Sequence, residues 1–233
     1  MPQMPVGAPN HHAFTPRLPI LLPVFRAWHD VLAKWSLEWN FADCPYWYNE
    51  QASVSSFAGA IWTVGGIALQ DYATEKEPLA AADKCTRVIR KGRQDLFFRI
   101  DDENFIVEAK QEFSSASLWR RTALTRISRK LDKACDEAGD KKCYGARRLG
   151  MVVAVPVLPL SVKNAPEDHL EDWLMEVQKI KVSAIAWFFM DKSLYPIKEN
   201  RGIFPGIVLL VREVPFRVRR HTTPWLTQDS FTS

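Results

Sequence analysis

Three stretches in the second half of the chain, LGMVVAVPV (Leu149–Val157), SAIAWFFM (Ser183–Met190) and GIVLLVREV (Gly206–Val214), are almost unbroken apolar runs of strand length. Side chains alternate across a strand, so a strand that is apolar at successive positions has to be covered on both faces. These runs predict interior strands of one sheet with helices above and below it. A chain of 233 residues, 47% hydrophobic and 25% charged, has the length and composition for one such α/β domain. No repeat of solenoid length is visible.

Upstream, Phe25, Trp28, Leu32, Trp35 and Trp39 recur at helical spacing within Val24–Trp39. An aromatic stripe of this kind either fills core or lays its face into a partner. After FADCPYW, Pro45 suits a first helical turn, and Glu50, Val54, Phe57, Ile61, Val64, Ala68 and Tyr72 share one face of a helix expected to run to about Tyr72. The pieces KCTRVIR (Lys84–Arg90), DLFFRI (Asp95–Ile100) and FIVEAK (Phe105–Lys110), separated by the polar connections KGRQ and DDEN, read as three successive strands. From about Ser117 to Ala138, Leu124, Ile127, Leu131, Ala134 and Ala138 return to helical spacing, with Arg126, Arg129 and Lys133 on the opposite face; a further helix is expected over Glu167–Ile180. The order predicts a mixed central β-sheet flanked by helices. Residues 1–42 read as a Pro/Trp-rich arm and helix, 43–215 as the α/β domain, and 216–233 as a basic tail. Within the arm, residues 1–23 carry six of the fifteen prolines and the His11-His12 pair, and are expected to be extended or loosely held.

Several functions are set aside by composition. Cys44, Cys85, Cys135 and Cys143 have neither C-x-x-C spacing nor a histidine pair nearby, which argues for reduced thiols and against a zinc site or disulfide framework. The apolar patch LPILLPVF is broken by prolines and has no basic leader, and no run is long enough to span a bilayer, so a soluble cytoplasmic protein is expected, without membrane contact. Net charge is only +4, yet Lys84–Arg148 holds 17 Lys/Arg against 10 Asp/Glu. That local surplus suits a polyanionic partner. Motifs for P-loop nucleotide binding, zinc-protease or serine-hydrolase chemistry are absent from the sequence.

The surplus surrounds a hairpin with unusual chemistry. On the strand FIVEAK, Ile106, Glu108 and Lys110 share one face while Phe105, Val107 and Ala109 share the other. Pairing through DDEN brings Asp95, at the start of one strand, alongside Glu108 and Lys110 near the end of the other. Two neighbouring carboxylates raise one another's pKa unless a cation lies between them. Mg²⁺ held by one or two carboxylates, with the Ala109 carbonyl adding an oxygen, would meet that need. Lys110 would then hold the attacking water and offset charge on a phosphate.

GRQD followed thirteen residues after Asp95 by EAK resembles the PD-(D/E)xK nuclease superfamily, over roughly Tyr46–Val157. The resemblance implies a restriction-endonuclease-like αβββαβ core with an N-terminal helical extension. It also implies hydrolysis of DNA phosphodiesters with Mg²⁺ or Mn²⁺, and a role in defence against foreign DNA or as a toxin-like effector. Asp95 and Glu108 become metal ligands with the Ala109 carbonyl, Lys110 stands at the water, and Gln111 resembles the E-x-K-Q variant that contacts water or phosphate. Glu50, from the first core helix, matches the glutamate that joins the site in many members; a carboxylate near a helix N-terminus is also favoured by the helix dipole. Gln94 stands where the family's name has proline. Arg93, Arg120, Arg121, Arg126, Arg129, Lys130 and Lys133 are the candidate phosphate contacts, and a basic helix face is equally what solvent would select. RNA is the alternative substrate. The rival reading is an inactive nuclease-fold module that binds nucleic acid, a second copy or another protein through its Trp-rich N-terminal helices.

Overall fold

The apolar runs form the middle of one sheet. The computed structural model describes residues 11–76, 90–116, 120–140, 145–160, 166–199 and 201–215. In chain order these contain β1 (His11–Phe14), α1 (Leu22–Glu38), α2 (Glu50–Thr63), β2 (Ile67–Lys76), β3 (Arg90–Ile100) and β4 (Glu103–Ser115). Then follow α3 (Arg120–Gly139), β5 (Ala146–Val157), α4 (Pro166–Val177), β6 (Ala184–Phe189), β7 (Ile197–Lys198), β8 (Gly202–Ile203) and β9 (Gly206–Val214). Seven strands make a mixed sheet in the order β1-β6-β9-β5-β4-β3-β2, while β7 and β8 form a separate small hairpin. Within the seven, β4 runs parallel to β5 and the other neighbours are antiparallel.

Helices cover both faces, as the double-sided apolar runs require. On one face Phe25, Trp28, Phe57 and Ile61 of α1 and α2 pack over Leu96, Phe98, Phe105, Val107 and Val153. On the other, Ile127 and Leu131 of α3 and Leu170 and Trp173 of α4 pack over Val152, Ala154, Trp187 and Leu210. Each layer buries an indole that would be costly without a partner. Trp28 Nε1 donates to Ser56 Oγ at 3.0 Å, and Trp173 Nε1 donates to Ser114 Oγ at 3.0 Å.

Three local expectations are corrected. The helix expected to reach Tyr72 ends at Thr63, and Ala68 and Tyr72 lie on β2. Gly65 takes the left-handed conformation (φ +83°) that ends a helix, and a Cβ on Gly66 would stand 2.7 Å from the Arg99 carbonyl oxygen, so only glycine lets the chain turn here. KGRQ is not a turn but the opening of β3, paired with β2 through Arg93↔Ala73 and Gln94↔Tyr72; residues 84–89 lie outside the described residues. The Pro-rich arm is also not loose from residue 11 onward. β1 pairs with β6, Leu18 and Leu21 are fully buried, and α1 shares its core with α2. The DDEN hairpin forms as expected, with Ile100 opposite Glu103 and Asp101 left-handed (φ 51°) in the turn. Among the described residues no helix is long and apolar enough to cross a membrane. Cys44 and Cys135 are free thiols; Cys85 and Cys143 and the 216–233 tail lie outside the described residues.

Candidate active site

Asp95 sits where β4 parts from β3 and where the pairing of β2 with β3 misses a position. The β3–β4 ladder runs from Ile100↔Glu103 to Leu96↔Val107 and stops one residue short of Asp95. Side chains take over the ladder's hydrogen bonds at that point. Gln94 Nε2 donates to the Val107 carbonyl at 2.6 Å, and the Ala109 N–H donates to Asp95 Oδ2 at 2.7 Å. On the other side, the pairing of β2 with β3 skips the position between Gln70↔Leu96 and Tyr72↔Gln94, where Asp71 stands opposite Asp95 with a left-handed backbone (φ 48°). A non-glycine residue in that region inside a strand is uncommon, and aspartate is among the few that tolerate it. Asp71 is held by Arg93 at 2.5 Å and by Gln51 Nε2 at 3.3 Å.

The even-numbered side chains of β4 face α3. Glu108 is 2% exposed and lies beside Gly150 of β5. Because Leu96 and Val107 pair on the α2 side, Asp95 and Glu108 occupy the next pleat, on the α3 side. Lys110 follows Glu108 on the same side. Its ammonium donates to the Ala109 carbonyl at 2.7 Å and lies 3.9 Å from Asp95 Oδ2 and 2.8 Å from Glu137 Oε2 of α3. Burial by itself would lower the Lys110 pKa; the hydrogen bond it donates to Glu137 and the charges of Glu50, Asp95 and Glu137 outweigh it, and the group is held above the ordinary lysine range.

Glu50 comes from the first turn of α2, whose N-terminus Asn49 caps by accepting from the Ala52 N–H at 2.9 Å. Its Oε2 accepts from the Gln111 N–H at 2.9 Å. Burial raises the Glu50 pKa, Lys110 lowers it, Asp95 raises it, and the Gln111 bond and Lys130 lower it, leaving it above the usual carboxylate range. Glu50, Asp95 and Lys110 thus lie within one another's field. Gln111 points away from Lys110, and its side-chain amide donates to the Tyr46 carbonyl at 2.8 Å. It ties β4 to the turn before α2.

The basic residues divide. Arg126, expected on an outer face, reaches back to the buried Glu112 at 2.7 Å, and Lys133 stands 3.7 Å from Glu137. Arg93 is engaged by Asp71, and Arg129 is exposed. Arg120 and Arg121 open α3, with side chains outside the described residues; at 1.5 Å per residue, the Arg120 backbone lies roughly 25 Å along the helix from Glu137. They stand at the far end of α3 from its contact with Lys110. Asp71 and Glu137 escaped sequence reasoning: one lay in a presumed helix, the other reads as an ordinary surface residue four positions after Lys133.

The oxygen atoms here suit a hard cation. An ammonium already lies against the Ala109 carbonyl and near the Asp95 carboxylate, marking a position that attracts positive charge. Among the described residues no three His, Cys, Asp or Glu side chains converge into a ready cage. Mg²⁺ needs no such cage, since one or two carboxylates with waters and a phosphate suffice. Comparison of the chain with known protein families, curated proteins and solved structures finds no match.

Proposed function

We propose that the chain is a phosphodiesterase acting on DNA, a nuclease dependent on Mg²⁺ or Mn²⁺, with its site at the fork of β3 and β4. The observation that carries this reading is the Lys110 ammonium lying against the Ala109 carbonyl and near Asp95 Oδ2, in the field of Glu50. The run α2-β2-β3-β4-α3-β5, with β4 parallel to β5, is the order a restriction-endonuclease-like core requires, and it supports the same reading.

In this proposal Asp95, Glu108 and the Ala109 carbonyl would hold the metal, which when bound supplies Lewis-acid polarisation of the phosphate and a more acidic water. Glu50 adds a carboxylate from the first turn of α2. Lys110, kept cationic by its neighbours, donates to the attacking water or phosphate and offsets the negative charge that builds as the new O–P bond forms and the old one breaks. Gln94 fixes the backbone of β4 so that Glu108 and Lys110 keep their orientation.

The test is cleavage of plasmid DNA and of RNA with Mg²⁺, Mn²⁺ or EDTA. Glu108→Ala and Lys110→Ala should each lower the rate by ~10²-fold or more while the protein stays folded. Equal trace activity in wild type and both variants would assign that activity to contamination. The binding-module reading would then stand, and it has its own support: Trp35 of α1 is 40% and Trp39, the residue that follows the helix, 54% exposed, with ring centroids 6.4 Å apart.

A further inference from the structure

The turn that leads into α2 sets one exposed aromatic ring on a core one. Tyr48 is 49% exposed, two residues before Glu50, so its Cα lies within about 7.6 Å of that of Glu50. Beneath it Trp47, 7% exposed, meets the Tyr48 ring edge-on with centroids 5.9 Å apart. The β7–β8 hairpin adds two cations to this corner. Lys198 Nζ stands 4.8 Å from the Trp47 centroid and 5.4 Å from that of Tyr48. Arg201 stands 5.4 Å from Phe113 of β4, and its Nη1 donates to the Trp47 carbonyl at 3.3 Å. The corner is tied to the candidate site from below, because Gln111 binds the Tyr46 carbonyl through its side chain and Glu50 through its N–H.

We infer that this corner is a binding platform for an unpaired nucleotide, with the base stacked on Tyr48 and the adjoining phosphates on Lys198 and Arg201. The inference rests on the nuclease reading and narrows its substrate to single-stranded or frayed nucleic acid. An exposed ring beside cations is the combination that binds single strands, since every base has a face to stack and each linkage carries a charge. A base in a duplex is already stacked on both faces and has none to offer. The Tyr48 ring rests on a buried neighbour, since Trp47 is 7% exposed and meets it edge-on. Continuity with Glu50 directs a strand held here toward the fork of β3 and β4.

The test uses the full chain carrying Glu108→Ala, so that the probe survives, and short dT, rU, abasic and duplex oligonucleotides followed by fluorescence anisotropy. The base-bearing single strands should bind more tightly than the abasic strand and the duplex, with dT and rU separating DNA from RNA preference. Tyr48→Ala should weaken the base-bearing strand roughly tenfold and leave the abasic strand unchanged. Lys198→Gln with Arg201→Gln should weaken both strands and make the log-log salt slope less negative by about 1.4, at about 0.7 per phosphate for single strands. Unchanged dT and rU binding in Tyr48→Ala, or a preference for duplex, overturns the platform. Wild-type cleavage of plasmid is read separately: if plasmid is cut in a Lys110-dependent way while Tyr48→Ala is neutral, the platform falls and the nuclease reading remains; if the wild type neither binds nor cuts, both fall.

Discussion

A histidine enclosed by aromatic rings has to stay neutral, and that makes His29 a pH-dependent weak point. It is 6% exposed on α1, with ring centroids 5.2 Å from His11, 5.6 Å from Trp28 and 6.4 Å from Phe188. Burial, then the charges of His11 and His12, lower its pKa from 6.5 to about 4, against a weaker opposing bond to the Trp187 backbone. Because the folded-state value is depressed, the unfolded chain binds the proton first as pH falls. Stability is therefore full above pH 6.5 and declines on the way down to about pH 4, by an amount on the order of 3 kcal/mol. His29→Leu should remove this acid-side loss, so that melting temperatures of the variant and wild type lie closest at pH 7 and diverge toward pH 4 in favour of the variant. An unchanged difference across that window would assign the acid sensitivity to other groups. The same enclosure gives the His11-His12 pair, expected to be extended or loosely held, its place in an extended strand. Nothing in two adjacent histidines among prolines announces a strand; the pairing with β6 and the stack on His29 supply the order from elsewhere in the chain.

At the scale of elements, the site depends on how closely α3 lies on β5. A Cβ on Gly150 would stand 2.5 Å from Cys135 Sγ and 2.6 Å from the Cys135 backbone nitrogen. Backbone cannot yield as a flexible side chain can, so Gly150→Ala should lift α3 and destabilise the protein by about 1–3 kcal/mol or more. Glu137 is two residues from Cys135, and its hold on Lys110 should loosen with the same movement, lowering activity beyond what the stability loss explains. Gly139→Ala is the control: its Cβ would meet only Val214 Cγ1 at 3.7 Å, an ordinary contact. If both variants melt and cut alike, the tight approach at Gly150 does not govern the site. Periodicity made α1, α3, α4 and the apolar strands legible, because their burial patterns are local. It failed at α2, where the apolar spacing continued past Thr63 and the Gly65-Gly66 break outweighed it. It also failed for KGRQ, whose polar residues sit in a strand because β2 pairs with them. Of the site, Asp95, Glu108 and Lys110 could be read because hairpin register and alternation determine their side; Asp71, Gln94 and Glu137 could not, since their roles arise from a strand kink, a broken ladder and a helix laid across the sheet.

For the molecule as a whole, the central question is whether the N-terminal helical layer is an appendage or part of the fold. The sequence divides at residue 42, where the Pro/Trp-rich composition gives way to alternating strands and helices. Packing gives a physical reason to expect otherwise: α1 contributes Phe25 and Trp28 to the core over β3, β4 and β5, and β1 is an edge strand of the same seven-stranded sheet. The two cores lie on opposite faces of strands they share, so loss of either removes cover from the same backbone. Phe57→Ala on the α2 side and Leu131→Ala on the α3 side, both at positions no more than 1% exposed, should each cost about 3 kcal/mol. Both should move one transition. Trp28 in α1 and Trp173 in α4 report on the two layers, and each is no more than 1% exposed. With 5-fluorotryptophan incorporated, their ¹⁹F resonances should lose native intensity at the same urea concentration in wild type and in either variant. If the Trp28 resonance were lost first, and Phe57→Ala widened the gap, the boundary at residue 42 would be a true thermodynamic division. Coincident loss would make α1 and β1 as much a part of the fold as the strands that carry Asp95 and Lys110.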